Sequence, residues 1–176
     1  MVCCRSAGWW GNDLKTRFAM RKEFDPSPGA QGFQQSNPSI MSAAPLLGSL
    51  QLFKEVGMIK AVRERSLALT GKLEELLKKS EFYIPVEEAT GDEKKGFTII
   101  TPSNPEERGA QLSLLFLPVG EGRMDKVFDV LRSKGVLGDE RKPDVIRLTP
   151  VAMYNTMQDV EGAAKALDVA LKEVDI

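Results

Sequence analysis

Apolar residues along this chain follow a helical rhythm first and a strand-and-helix alternation later. From Ile40 to Val56 the residues Ile40, Ala43, Ala44, Leu47, Leu50 and Phe53 fall near one helical face. Pro45 sits inside that run, so a kink or a late start is expected. After Gly57 a second helix is predicted from Met58 to Lys79, with Met58, Val62, Leu69, Leu73, Leu76 and Leu77 as its apolar stripe. The rhythm then shortens. Phe97 to Thr101 reads as a β-branched strand, and Gln111 to Leu117 is so continuously apolar that it reads as a central one. Met124 to Lys134 is an amphipathic helix with Gly135 as its stop. Val136-Leu137 and Val145 to Leu148 are further strand candidates. The last helix is expected from near Asn155 to Val174, with Asn155 and Gln158 spaced like a capping box. Strand, strand, helix, strand, strand, helix predicts an α/β chain ending in a small α+β domain, its helices on one face of a mostly antiparallel sheet.

Outside these elements the pattern is irregular. Residues 1–39 hold Pro26, Pro28, Gly29, Gly32 and Pro38, which break any long helix. They also hold Trp9, Trp10, Phe18, Met20, Phe24 and Phe33, too apolar for a disordered tail, so a folded loop packed on another surface is expected. Glu87 to Lys95, with Gly91, reads as a solvent-facing loop.

Composition narrows the function classes. With 42% hydrophobic and 28% charged residues among 176, the chain has material for a real core. Its formal net charge of -1 favours neither nucleic acid nor anionic lipid as a partner, and no apolar run reaches membrane-spanning length. Cys3 and Cys4 are adjacent and form no disulfide framework, which, with no signal-peptide layout, points to a reducing, cytoplasmic location. The absence of histidine removes histidine-based triads, general bases and metal sites, and leaves nothing to complete a zinc site with the cysteines.

The candidate chemistry is spread thinly. Gly8-Trp9-Trp10-Gly11 carries both tryptophans of the chain. An indole N–H only donates, and so suits a phosphate or carboxylate, but paired tryptophans also serve as packing anchors. Asn37, before Pro38, is a side-chain donor or a turn former. Arg17 reads as a surface ion-pair partner, and Glu106-Glu107-Arg108 as a solvated charge run. Arg147 lies in the apolar strand Val145-Ile146-Arg147-Leu148, either pointing outward by alternation or offering its planar fork to a carboxylate. No glycine-rich phosphate loop is present.

Taken in order, these pieces resemble the kynureninase family. The resemblance rests on Gly8-Trp9-Trp10-Gly11, Thr16-Arg17-Phe18-Ala19-Met20, Gly32-Phe33 with Ser36-Asn37-Pro38, and Leu69-Thr70-Gly71 with Leu73. It continues through Ile100-Thr101-Pro102-Ser103, Glu106-Glu107-Arg108-Gly109 with Gln111-Leu112, and Ile146-Arg147 with Pro150 and Tyr154-Asn155.

The resemblance implies a homodimeric pyridoxal 5'-phosphate enzyme of the aspartate-aminotransferase fold type. Such enzymes cleave L-kynurenine or 3-hydroxykynurenine with water to anthranilate or 3-hydroxyanthranilate plus L-alanine, in tryptophan catabolism and NAD biosynthesis. It assigns Trp9 to the cofactor phosphate, Asn37 to cofactor and substrate, and Arg147 to the substrate α-carboxylate. It divides the chain into residues 1–56, the end of the large cofactor domain with an interdomain helix, and residues 57–176, the small C-terminal domain. The family's Schiff-base lysine lies upstream of the Gly-Trp motif, so no catalytic lysine is carried over. The chain is expected to be the back part of a longer enzyme, inactive alone; the alternative is a non-enzymatic dimerisation or interaction module. Asn12 stands where many relatives carry histidine, and the loop Gly120 to Arg123 looks long; neither is given a role.

Overall fold

The computed structural model describes residues 8–89 and 94–174. They form two compact units that meet in sequence between Glu55 and Val56.

The first unit holds two short 3-10 turns, Trp9–Gly11 and Gly29–Phe33, followed by helix α1, Ile40–Glu55. Helix α1 runs through Pro45 from Ile40 onward, so the expected late start does not occur. Nor is its apolar surface a single face. Met41 and Leu52 lie on the flank opposite Leu46 and Leu50, and none of the helix is buried. Among the described residues the first unit buries no large apolar side chain at all.

The second unit carries the core. Helix α2, Met58–Lys78, buries Leu69, Leu73 and Leu77 at four-residue spacing, which puts them on one stripe. Strands β1, Gly96–Ile99, β2, Leu112–Leu117, β3, Asp139–Arg141, and β4, Val145–Leu148, form one antiparallel sheet in the order β1-β2-β4-β3. Strand β2 is interior, as its apolar run implies. Helices α3, Arg123–Ser133, and α4, Met157–Glu173, complete the unit. Phe97, Ile99, Leu112, Leu114, Phe116, Ile146 and Leu148 turn to one side of the sheet and join the buried stripes of all three helices in a single cluster. The opposite side carries Thr98, Ser113, Leu115, Val145 and Arg147 by strand alternation.

Two further sequence expectations fail for identifiable reasons. Val136-Leu137 is not a strand: the Val136 N–H donates to Leu131 O and Gly135 N–H to Arg132 O, closing α3 in a Schellman turn with Gly135 at φ +82°. Leu137 is 86% exposed. The real third strand is the wholly exposed Asp139–Arg141, a charged edge without apolar signature. At α4 the capping box is Thr156 with Asp159, one residue later than expected. The Asn155 Oδ1 is already taken by the Val151 N–H at 2.8 Å, which closes the preceding turn instead. The expected loop Glu87 to Lys95 lies partly outside the described residues, as do Cys3 and Cys4.

Candidate functional site

The Gly-Trp-Trp-Gly turn folds back on residues 32–35. Gly8 approaches Gln35 so closely that an added Cβ would stand 2.0 Å from its carbonyl oxygen, and one on Gly11 would stand 2.9 Å from the oxygens of Gly32 and Gln34. These glycines are demanded by proximity, since Gly8 has an ordinary extended backbone (φ -118°, ψ 166°). Trp9 directly follows Gly8 in sequence, and Asn37 lies two residues beyond Gln35. Both side chains are exposed, Trp9 by 56%, and Trp9 meets Phe18 edge-on at 5.7 Å.

Asn12 has a structural role. Its Nδ2 donates to Gly8 O at 3.3 Å and its Oδ1 accepts from the Asp25 N–H at 3.3 Å, stitching the turn to residues 25–27. The Ser27 hydroxyl completes the stitch by donating to Asn12 O at 2.9 Å. Arg17 departs from its reading as a surface ion-pair partner. It is 7% exposed, its guanidinium lies over the Trp10 ring at 4.4 Å, and its Nε and Nη2 find no hydrogen-bond acceptor.

Arg147 belongs to the second unit, on the sheet face away from the core cluster. Its Nε donates to Asp139 Oδ2 at 2.6 Å and its Nη2 donates to the same oxygen. Asp139 is the directly opposed residue on β3, so the strand register creates the pair. The hydrogen bond from Arg147 is the main reason the Asp139 carboxyl is held below its ordinary range. One edge of the guanidinium is therefore pinned, while the Nη1 side makes no hydrogen bond to a described residue.

Other resembling motifs turn out to brace the fold. Thr70 donates to Ala110 O at 3.1 Å, tying α2 to the segment entering β2. Thr101 Oγ1 accepts from the Ser113 N–H at 2.8 Å. Arg108, read as part of a solvated run, has a side chain only 4% exposed that pairs with Glu74 and donates to Pro102 O at 3.0 Å. The members of this pair stand 34 positions apart, so local charge patterning does not reveal it. Asp144, 1% exposed, was likewise missed; its Oδ2 accepts from the Gly120 N–H at 2.8 Å and anchors the loop before α3. A cleft of about 520 Å³ lies between the end of β4 and α4, lined by Leu148, Thr149, Tyr154, Asn155 and Gln158 among others, and includes none of the expected site residues. Among the described residues no cluster suits a metal ion, and no helix is long and apolar enough to cross a membrane.

Comparison with known proteins decides the family. The model of the kynureninase C-terminal domain matches residues 62–167. The chain belongs to the kynureninase family. It is 54% identical to the kynureninase of Eremothecium gossypii over 97% of its own length and 38% of that relative's. To the kynureninases of Yarrowia lipolytica and Candida albicans it is 52% and 42% identical, again over 97% of this chain, which covers 39% and 38% of those proteins. The chain thus spans less than two-fifths of the kynureninases it matches. The match extends through both units, including the Gly-Trp-Trp-Gly turn that precedes the family-model region.

Proposed function

We propose that this chain is the C-terminal portion of a kynureninase, serving the hydrolytic cleavage of L-kynurenine or 3-hydroxykynurenine to anthranilate or 3-hydroxyanthranilate and L-alanine. In this reading residues 1–56 end the cofactor domain and residues 57–176 form the small domain of a cytoplasmic homodimer. The observation that carries it is Arg147, whose guanidinium is fixed along one edge by Asp139 and free along the other. A planar fork held in one orientation suits the α-carboxylate of an amino acid.

The residues present also fit the anionic end of pyridoxal 5'-phosphate. Two exposed neutral donors, the Trp9 indole and the Asn37 amide, stand on the two backbone segments that the Gly8–Gln35 approach joins, which supports this reading. When bound, that cofactor supplies an electron sink for the cleaved bond. This chain's residues would hold and orient: Trp9 would donate to the phosphate, Asn37 would border cofactor and substrate, and Arg147 would fix the carboxylate end. No lysine of this chain is assigned to the cofactor aldehyde, so the chain by itself is expected to be inactive.

The test is an assembled enzyme, with this chain co-expressed beside the upstream portion of a relative and anthranilate followed by fluorescence. Arg147→Ala should raise KM for kynurenine strongly, and Arg147→Lys should restore only part of the loss because the fork is gone. Saturation by kynurenine unchanged in Arg147→Ala would refute the carboxylate role. Assembly without turnover would favour a non-enzymatic interaction module.

A further inference from the structure

The sheet sets which way the open edge of Arg147 faces. In the order β1-β2-β4-β3, strand β4 lies between β3 and β2. Arg147 is directly opposed by Asp139 on β3 and by Ser113 on β2. Directly opposed residues share a face, with Cβ atoms about 4.5–5.5 Å apart. The Nε and Nη2 hydrogens both go to Asp139 Oδ2, so that edge of the planar guanidinium is turned toward β3. The Nη1 edge is therefore turned toward β2, the side of Ser113. Because the short Asp139 side chain reaches the guanidinium, the arginine lies low over the sheet, within one carboxylate's span of a hydroxyl on the neighbouring strand.

The Asp139 side is closed to a second anion. The same Oδ2 also accepts from Arg141 Nε at 3.1 Å. A ligand carboxylate there would stand beside the Asp139 charge and be repelled by it. The Nη1 edge is the one left for it.

Ser113 is set up to meet such a group. Its N–H donates to Thr101 Oγ1 at 2.8 Å and its carbonyl accepts from the Ile100 N–H at 3.0 Å, which fixes its backbone. Gln111, two residues earlier on the same face, donates Nε2 to Ser113 Oγ at 3.2 Å. That bond fills one lone pair, and the hydroxyl hydrogen meets no acceptor among the described residues. Gln111, Ser113 and Arg147 are all half-buried, so a bond made here is partly shielded from water.

We propose that Ser113 is a second donor to the substrate α-carboxylate, one oxygen going to Arg147 Nη1 and the other to the serine hydroxyl, with Gln111 as its positioning residue. The proposal rests on the carboxylate reading of Arg147 given above. Holding both oxygens stops the carboxylate from turning about its bond to Cα, and so fixes the directions of the other Cα bonds.

The experiment uses the assembled two-chain enzyme. Ser113→Ala should raise KM for L-kynurenine about tenfold with little change in kcat, because a hydrogen bond to a charged group is lost. Ser113→Thr, which keeps the hydroxyl, should restore it. Gln111→Leu should give a smaller rise. The decarboxylated amine of kynurenine, used as a competitive inhibitor, should bind the parent and Ser113→Ala equally, which a merely structural serine would not produce. In the Arg147→Ala background, Ser113→Ala should add less than its tenfold, since the two share one ligand group. The isotope-labelled chain alone, which holds all three residues, gives a readout without turnover: L-kynurenine should shift the Arg147 Nε–H and Ser113 amide resonances together. A parental KM in Ser113→Ala beside a raised one in Arg147→Ala, or a shift at Arg147 without one at Ser113, would overturn the serine's role and leave the arginine's standing. Equal loss of affinity for the amine would also overturn it. Arg147→Ala with unchanged KM and no shift at either residue would refute the carboxylate reading itself.

Discussion

Replacing Gly8 by alanine tests whether the Trp9 turn depends on one close approach. The backbone of Gly8 is extended, so alanine brings no dihedral strain. The obstacle is steric: the new Cβ would stand 2.0 Å from Gln35 O and 2.2 Å from Gln35 Cα. Real Cβ contacts essentially never fall below 3.0 Å, so the two backbone segments must part by about 1 Å (3.0 − 2.0). Both obstructing groups are main chain, and no side-chain rotation relieves them. A shift of about 1 Å in a group that positions a reactant costs on the order of 10²-fold. In the assembled enzyme, Gly8→Ala should therefore release pyridoxal phosphate more readily and lower kcat/KM by roughly 10²-fold. The isolated chain offers a second readout, because Trp9 and Trp10 are its only tryptophans and their emission reports this turn alone. Emission and acrylamide quenching should change while the melting of the second unit does not. Gly71→Ala is the control: nothing lies within 4 Å of its new Cβ, and in mid-helix it should stabilise by about 0.5–1 kcal/mol. Unaltered emission and cofactor retention in Gly8→Ala would refute the reasoning.

Further outcomes follow from the second unit. Burial alone would raise the Glu74 carboxyl, but hydrogen bonds from Arg108 and Lys78 outweigh it and hold it below its ordinary value of 4.5. Its contribution to stability is thus complete above that value and is lost as pH falls through the lower, folded-state one, so Glu74→Gln should flatten the acid limb of a pH-dependent melting curve. Phe116→Ala, at a fully buried position beside Phe97, should cost about 3–5 kcal/mol in denaturant titration. Asp139→Asn frees the pinned edge of Arg147 and should raise KM for kynurenine with little change in kcat, by less than Arg147→Ala does; an unchanged KM would mean that the fork orients itself.

The legible parts of the fold are those whose periodicity records burial. Val145–Leu148 alternates because Ile146 and Leu148 enter the core while Arg147 does not. Helix α3 shows Met124, Val127, Phe128 and Leu131 at the spacing that its buried face requires. Strand β3 left no such trace, because an exposed edge of Asp, Glu and Arg is held by backbone pairing and the Asp139–Arg147 pair, not by apolar burial. Charged residues misled in the opposite direction. Arg17 and Arg108 look like surface groups, since local sequence holds no information about a distant Glu74 or about a ring that will cover a guanidinium. For the candidate site, the residue types and the family resemblance supplied Trp9, Asn37 and Arg147. The pinning of Arg147 by Asp139 emerged only from the strand register, and the reason for Gly8 only from its distance to Gln35.

The all-round apolar character of α1 also bears on the order of events during synthesis. In the longer relatives the region matched here is named for the C-terminal end, so the ribosome delivers it after most of the subunit has emerged. Nascent domains tend to fold in that same order. A helix greasy on every side is then made late, when its receiver already exists. Produced as a separate polypeptide, it would meet water, chaperones or its own copies first, and any split-gene arrangement of a kynureninase would have to synchronise the two products in time and place.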